Sequence, residues 1–197
     1  SGTYTLTQDD VGAEITVTAS YTDGEGTAES VTSAVTSPVT DVNNDPTGLR
    51  IIKTPILGAV SEGDVFIADT STLADLDGLG ALSYQWNRDG SPIAGATSST
   101  YPLTQDDVGA IVSLTVNYTD GGGTPESVTA TTSSPVRNVS HSPTGGVTIT
   151  GVAAESEVLT ADTSTLDDVD GLGALSYQWS RDGSPIDGAT SGTYTLT

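Results

Sequence analysis

The side chains of this sequence that could do chemistry are mainly carboxylates. The 197 residues include 26 Asp and Glu against 5 Lys and Arg, one His and no Cys. Without Cys there is no disulfide and no thiolate metal site, so a bound metal would be a hard cation held by oxygen. The run Asp41-Val42-Asn43-Asn44-Asp45 carries oxygen ligands at alternate positions, which an extended backbone directs to one side. Ca²⁺ takes about 6 to 8 oxygen ligands, so this run is a candidate part of a calcium site.

The net charge narrows the choice of partners. A formal charge of -21 argues against nucleic acid, because binding phosphates requires clusters of Lys and Arg. An anionic membrane surface is disfavoured for the same reason. No apolar run approaches the roughly 20 residues that span a bilayer, and Ser1-Gly2-Thr3-Tyr4 lacks the basic and apolar regions of a signal peptide. We therefore expect no membrane insertion.

Two blocks of sequence recur, so the chain is built from repeats. Segment 4–13 recurs as 101–110, and segment 83–93 recurs as 176–186, each with one substitution. The period of about 95 residues is the size of one small β-sandwich and is too long for a short solenoid repeat.

The repeat phase predicts the domain boundaries. Pro46 and Pro143 follow the linker-like segments 41–45 and 138–142. Three units are therefore predicted: the C-terminal half of one repeat at 1–45, a complete repeat at 46–142, and the N-terminal half of another repeat at 143–197.

Alternating patterns predict an all-β fold. Apolar and polar residues alternate over 82–87 and 112–118, which is typical of strands with one buried face. Turn residues fill 88–92 and 119–123. Further short strands are predicted at 65–68, 101–103 and 128–132. About seven strands in one repeat indicate an antiparallel β-sandwich.

These motifs resemble a known family. The pattern Leu-x-Tyr-x-Trp with an Arg-Asp-Gly turn at 82–90, followed by Tyr-x-Leu-Thr-Gln-x-Asp-Val-Gly at 101–109, resembles the C, E and F region of an immunoglobulin-like (Ig-like) domain. More narrowly, the chain resembles the tandem Ig-like and cadherin-like repeats of large bacterial surface adhesins of the RTX type, which type I systems secrete. It departs from antibody domains in lacking the inter-sheet Cys pair and the tyrosine corner.

The resemblance implies calcium at the junction between repeats. Segment 41–46 is similar to the calcium-binding interdomain linker of cadherins, and Asp75 and Asp77 resemble the Asp-x-Asp pair of the following domain. In an Ig-like sandwich the linker abuts the BC and FG loops of the next domain and lies near the EF corner of the preceding one. The candidate Ca²⁺ ligands are therefore Asp9, Asp10, Asp41, Asn43, Asp45, Asp75, Asp77 and Asp120. The alternative is that these are ordinary turn residues, in which Asp is common.

The second linker differs from the first. Asn138, Ser140, His141 and Ser142 replace the residues with oxygen ligands, although carboxylates remain nearby at 106, 107, 168 and 170. Calcium is therefore expected to bind there weakly or not at all. We expect His141 to be a plain linker residue, and a metal ligand is the less favoured alternative.

Catalysis is disfavoured. The only His lies in a linker, no Gly-rich segment precedes a helix as a phosphate-binding loop would, and acidic pairs recur in every repeat. A calcium-containing carbohydrate-binding module is the stronger alternative, but Trp86 and Trp179 are in phase with apolar neighbours and are predicted to be core residues.

We therefore expect non-catalytic spacer repeats of an extracellular adhesin or matrix fibre. Their junctions would be stiffened by Ca²⁺, and their partners would be neighbouring repeats of the same chain or of an identical one, in a continuous array or a head-to-tail filament.

Overall fold

The computed structural model describes residues 2–197, and this part of the chain is β-structure with two three-residue 3-10 helices, Gln8–Asp10 and Gln105–Asp107. The strands are β1 Thr18–Thr22, β2 Ala28–Thr32, β3 Arg50–Thr54, β4 Val65–Asp69, β5 Ser83–Arg88, β6 Ser91–Pro92, β7 Thr100–Pro102, β8 Val112–Thr119, β9 Pro125–Thr131, β10 Thr148–Thr150, β11 Val158–Asp162, β12 Ser180–Arg181, β13 Ser184–Pro185 and β14 Thr193–Thr195. The all-β prediction is confirmed.

Strands β3 to β9 form a two-sheet unit, which we call the central sandwich. One sheet has the order β3-β4-β7 and the other β6-β5-β8-β9, and all neighbours within each sheet are antiparallel. The five strands predicted from alternation at 65–68, 82–87, 101–103, 112–118 and 128–132 correspond to β4, β5, β7, β8 and β9. The division of the chain at 45/46 and 142/143 remains a prediction.

The core of the central sandwich is built from aromatic and branched side chains of both sheets. The indole ring of Trp86 is fully buried and stacks against both Phe66 and Tyr101, which are paired on the other sheet, with ring centroids 6.0 and 5.7 Å away. Its Nε1 donates to the Ser98 carbonyl at 2.9 Å, so the buried polar atom is satisfied. The fully buried strand β8 residues Val112, Leu114 and Val116 complete the core. The prediction that Trp86 is a core residue is confirmed.

The turn before β8 is fixed by a buried carboxylate. Asp107 has no exposed surface, and its Oδ2 accepts from the Thr104 backbone N–H at 2.8 Å and from the Tyr101 hydroxyl at 3.0 Å. Arg88 Nε donates to Oδ1 at 2.8 Å, and Arg88 Nη2 forms an ion pair with the same oxygen, also at 2.8 Å. Asp107 thus ties the 3-10 turn to strands β5 and β7.

The flanking segments repeat parts of this design with much less burial. Strands β1 and β2 pair like β8 and β9, and β10, β11 and β14 pair like β3, β4 and β7. Tyr21 is 56% exposed, whereas the equivalent Tyr118 in the central sandwich is 6% exposed. The strands of the flanking segments therefore leave one apolar face uncovered within residues 2–197.

Candidate cation-binding junctions

The linker at residues 41–46, which we call the first junction, is fastened to the central sandwich by two asparagines. The Asn44 backbone N–H donates to Asp77 Oδ2 at 2.6 Å. The Asn43 amide donates to Glu126 Oε1 at 2.8 Å. Both acceptor residues are 8% exposed, so the linker covers carboxylates of the loop before β5 and of strand β9.

A second layer of carboxylates lies behind these contacts. Asp75 Oδ1 accepts from the Asp77 backbone N–H at 2.9 Å, and Asp75 Oδ2 accepts from the Tyr118 hydroxyl. Burial, the hydrogen bond to Asp75 and the charges of Asp75, Glu126 and Asp120 together raise the pKa of Tyr118 above its ordinary value. Asp75, Asp120 and Glu126 therefore lie close enough to the Tyr118 hydroxyl for their charges to disfavour its ionisation together.

Asp120 carries the most unusual oxygen of the first junction. The residue is 7% exposed, and its Oδ1 accepts from the Thr124 backbone N–H at 2.7 Å. Its Oδ2 is buried and has no hydrogen-bond partner among residues 2–197. Buried carboxylate oxygens are normally paired, because burial without a partner costs solvation free energy.

The linker brings a further carboxylate to the same place. A Cβ at Gly122 would lie 2.7 Å from Asp41 Oδ2 and 3.4 Å from Asp120 Oδ1, so both side chains face the small space above this glycine. Asp41 Oδ1 accepts from Gln8 Nε2 at 3.2 Å. The space therefore has carboxylates from the linker and from the β8–β9 turn on its sides.

The other predicted ligands are placed differently. Asp9 and Asp45 are exposed, and neither makes a side-chain hydrogen bond within the described residues. Asp10 accepts from the Thr7 backbone N–H at 2.8 Å and the Tyr4 hydroxyl at 3.0 Å, and the Thr7 N–H in particular lowers its pKa. This repeats the geometry of Asp107, so the structure gives Asp10 a role within its own turn and no support as a metal ligand.

The linker at residues 138–143, which we call the second junction, docks in the same way. The His141 backbone N–H donates to Asp170 Oδ2 at 2.6 Å, as Asn44 does to Asp77. Asp170 N–H in turn donates to Asp168 Oδ1 at 2.9 Å. The pKa of Asp170 is lowered, chiefly by the hydrogen bond from the His141 backbone.

The second junction also holds a compact group of ligand atoms. Glu62, His141 and Asp170 each place one ligand atom within 4.8 Å of the other two, and no other set of three or more His, Asp or Glu residues in the described chain does so. The carboxylates at the first junction are spaced more widely. The expectation that calcium binds weakly or not at all at the second junction stays a prediction, whereas the spacing of Glu62, His141 and Asp170 could hold a metal ion.

Two residues at these junctions were missed by sequence reasoning. Glu126 is in phase with the half-buried Val128 on β9, so the alternation of this strand could have identified Glu126 as an inward-facing residue. Glu62 lies in the turn before β4 and gave no comparable signal, because its position in the fold is set by the pairing of Ser61 with Arg137.

Comparisons with known proteins do not assign this chain to a family. No known protein family, curated protein or solved structure matches the chain. Within residues 2–197, no helix is long and apolar enough to cross a bilayer.

Proposed function

We propose that the chain is part of a non-catalytic array of Ig-like or cadherin-like sandwiches that acts as an extracellular spacer in an adhesin or matrix fibre. Calcium would stiffen the first junction. Two observations carry the calcium assignment: Asp120 Oδ2 is buried without a partner, and Asp120 Oδ1 faces the same small space above Gly122 as Asp41 Oδ2 of the linker. A hard divalent cation would provide the missing partner of Asp120 and offset the repulsion between the two carboxylates.

The donor set fits calcium. Only oxygen ligands are available at the first junction, from the linker (Asp41), the loop before β5 (Asp75 and Asp77), the β8–β9 turn (Asp120) and strand β9 (Glu126). Bound Ca²⁺ would connect these elements, and its binding energy would stabilise the docked arrangement over an undocked one by linkage. Sites of this kind in extracellular modules bind with a Kd of about 10⁻⁴ to 10⁻³ M.

The spacer role is supported by the repetition of the docking contact. The same backbone bond joins linker to following loop at both junctions, at 2.6 Å in each case. The uncovered apolar faces of residues 2–45 and 143–197 fit completion by neighbouring repeats of the same chain or of an identical one, as in a continuous array or a head-to-tail filament.

Replacement of Asp120 by Asn tests the calcium assignment. We expect Asp120→Asn to lower calcium affinity about tenfold or more, because it removes a charged ligand oxygen while keeping the side-chain shape. The matched control is Asp23→Asn. Asp23 Oδ1 accepts from the Thr27 backbone N–H at 2.8 Å, as Asp120 does from Thr124, but Asp23 lies in the β1–β2 turn, away from either junction.

Calorimetry of Ca²⁺ binding would measure the affinities, and small-angle scattering with and without chelator would report the stiffness of the chain. Saturable binding that depends on Asp120 and extends the chain supports the proposal. Absence of binding, or equal effects of the two variants, would reject the calcium assignment. Binding with unchanged scattering would reject stiffening.

Tryptophan quenching tests the alternative function of carbohydrate binding, which needs exposed aromatic platforms. Trp86 is 0% exposed and Trp179 is 9% exposed. We expect acrylamide to quench both residues weakly and oligosaccharides to leave their emission unchanged. The variant Trp179→Phe isolates Trp86. Strong quenching, or a saturable response to an oligosaccharide, would favour the carbohydrate-binding module.

A further inference from the structure

We propose that Glu62, His141 and Asp170 form a site for a first-row transition-metal cation such as Zn²⁺ at the second junction. This inference goes beyond the proposed calcium-stiffened spacer and does not depend on it. It rests on the placement of one imidazole nitrogen between two carboxylates that belong to different parts of the chain.

The distances suit a small cation with tetrahedral ligands. His141 Nδ1 lies 3.5 Å from Glu62 Oε1 and 3.5 Å from Asp170 Oδ1. Two ligands about 2.1 Å from a tetrahedral Zn²⁺ are themselves roughly 3.4 Å apart. The nitrogen therefore already has the spacing to both oxygens that such a site requires, although the contacts are long for hydrogen bonds.

The surrounding contacts hold the ligands in place. Glu62 is 8% exposed, and its Oε1 accepts from the Val139 backbone N–H at 2.9 Å. With its amide oriented as a donor, Gln105 reaches Glu62 Oε2 at 2.6 Å and Asn138 Oδ1 at 3.2 Å. Asp170 is held by the His141 backbone. A water molecule can supply a fourth ligand.

The donor types select the class of cation. Imidazole nitrogen with two carboxylates suits Zn²⁺ and its neighbours in the first transition row, whereas Ca²⁺ prefers an all-oxygen shell of more ligands. His141 occupies the linker position that Asn44 has at the first junction, since both donate a backbone N–H to the following loop. Among the differences between the two linkers, the change from Asn44 to His141 is the one that introduces an imidazole nitrogen, while the changes from Asp41 and Asp45 to Asn138 and Ser142 remove carboxylates.

The single His of the chain makes the test direct. The full chain, saturated with Ca²⁺, would be titrated with Zn²⁺ while the ring C–H signals of His141 are followed by NMR. Co²⁺ would be added in a parallel titration as an optical probe. We expect Zn²⁺ to shift the ring signals with a stoichiometry of one, and Co²⁺ to develop the visible bands of tetrahedral coordination.

Matched variants connect the signal to the site. His141→Asn installs the residue found at the first junction, so it retains the docking bond, and we expect it to weaken Zn²⁺ binding by at least about 100-fold. Asp170→Asn should also weaken Zn²⁺ binding, whereas Asp77→Asn, its counterpart at the first junction, should not. Glu62→Gln provides a second route if His141→Asn perturbs folding.

Three results would overturn the proposal: Zn²⁺ leaving the His141 ring signals unchanged, equal Zn²⁺ affinity in His141→Asn, or the same ring shifts with Ca²⁺ alone. Because Asp120→Asn tests the first junction and His141→Asn the second, failure of one assignment is distinguishable from failure of the other.

Discussion

Replacement of Asp107 by Ala is expected to lower the free energy of unfolding of the central sandwich by about 3 kcal/mol. Removing one partner of a buried ion pair typically costs about 3 to 5 kcal/mol, because the remaining polar groups lose their partner. The lower end applies, since the Arg88 side chain is 31% exposed and can turn to water. The Tyr101 hydroxyl is buried and has no such alternative partner.

The repeat supplies the control. Asp10 makes the same bonds to Tyr4 and Thr7, but in a segment whose apolar face is uncovered, so Asp10→Ala should leave the unfolding of the central sandwich unchanged. Urea unfolding followed by Trp86 fluorescence in a Trp179→Phe background would measure both variants. Equal midpoints for Asp107→Ala and its parent would show that the buried network does not stabilise the fold.

Replacement of Gly80 by Ala is also expected to lower the free energy of unfolding of the central sandwich. A Cβ at Gly80 would lie 2.0 Å from the Thr119 carbonyl oxygen, which is backbone at the end of β8 and cannot rotate away. Overpacking of this kind costs about 1 to 3 kcal/mol, and a backbone contact favours the upper end. The displaced turn carries Asp120, so calcium affinity should fall as well.

Gly173 is the matched control for Gly80. The two glycines lie in the same local sequence, Asp-Gly-Leu-Gly-Ala-Leu-Ser at 77–83 and 170–176, but a Cβ at Gly173 meets nothing within 4 Å. Hydrogen exchange at the Asp120 amide, which bonds to the Thr124 carbonyl at 2.9 Å, would detect opening of the turn. If Gly80→Ala and Gly173→Ala had similar exchange rates at the Asp120 amide and similar free energies of unfolding, the expected clash would be contradicted.

The fold was predictable from sequence because burial in a sandwich follows strand alternation. Segments such as 82–87 and 112–118 have period-two patterns, and the repeat shows which turns separate them. Strand β3 was harder to define, since Arg50 and Lys53 interrupt its apolar residues. The repeat also shows a limit of sequence prediction. Tyr21 and Tyr118 occupy equivalent positions, but only Tyr118 is buried, and its hydroxyl bonds to Asp75 of the loop before β5.

The candidate sites were predictable only in part. Sequence spacing identified the linker acids and the Asp75-x-Asp77 pair, and the structure brings Asp41, Asp75, Asp77 and Asp120 to the first junction. The sequence could not show that Asp9 and Asp10 have different roles, because only the folded turn reveals which of the two carboxylates accepts from the Thr7 N–H. Glu62 and His141 are far apart in sequence, so their meeting depends on tertiary packing, which no local pattern encodes.

The segment just before β4 and the segment that leaves the central sandwich run side by side in the same direction, and in a chain of repeats this would determine how the unit carries mechanical load. Ser61 pairs in parallel with Arg137, whose N–H donates to the Val60 carbonyl at 2.9 Å and whose carbonyl accepts from the Glu62 N–H at 3.0 Å. Tension applied through the linkers at 41–46 and 138–143 pulls these two segments past each other along their length. Their hydrogen bonds are then strained in shear and share the force, instead of being peeled apart singly. A stretched chain of such units would keep its length up to a threshold force and then yield one sandwich at a time.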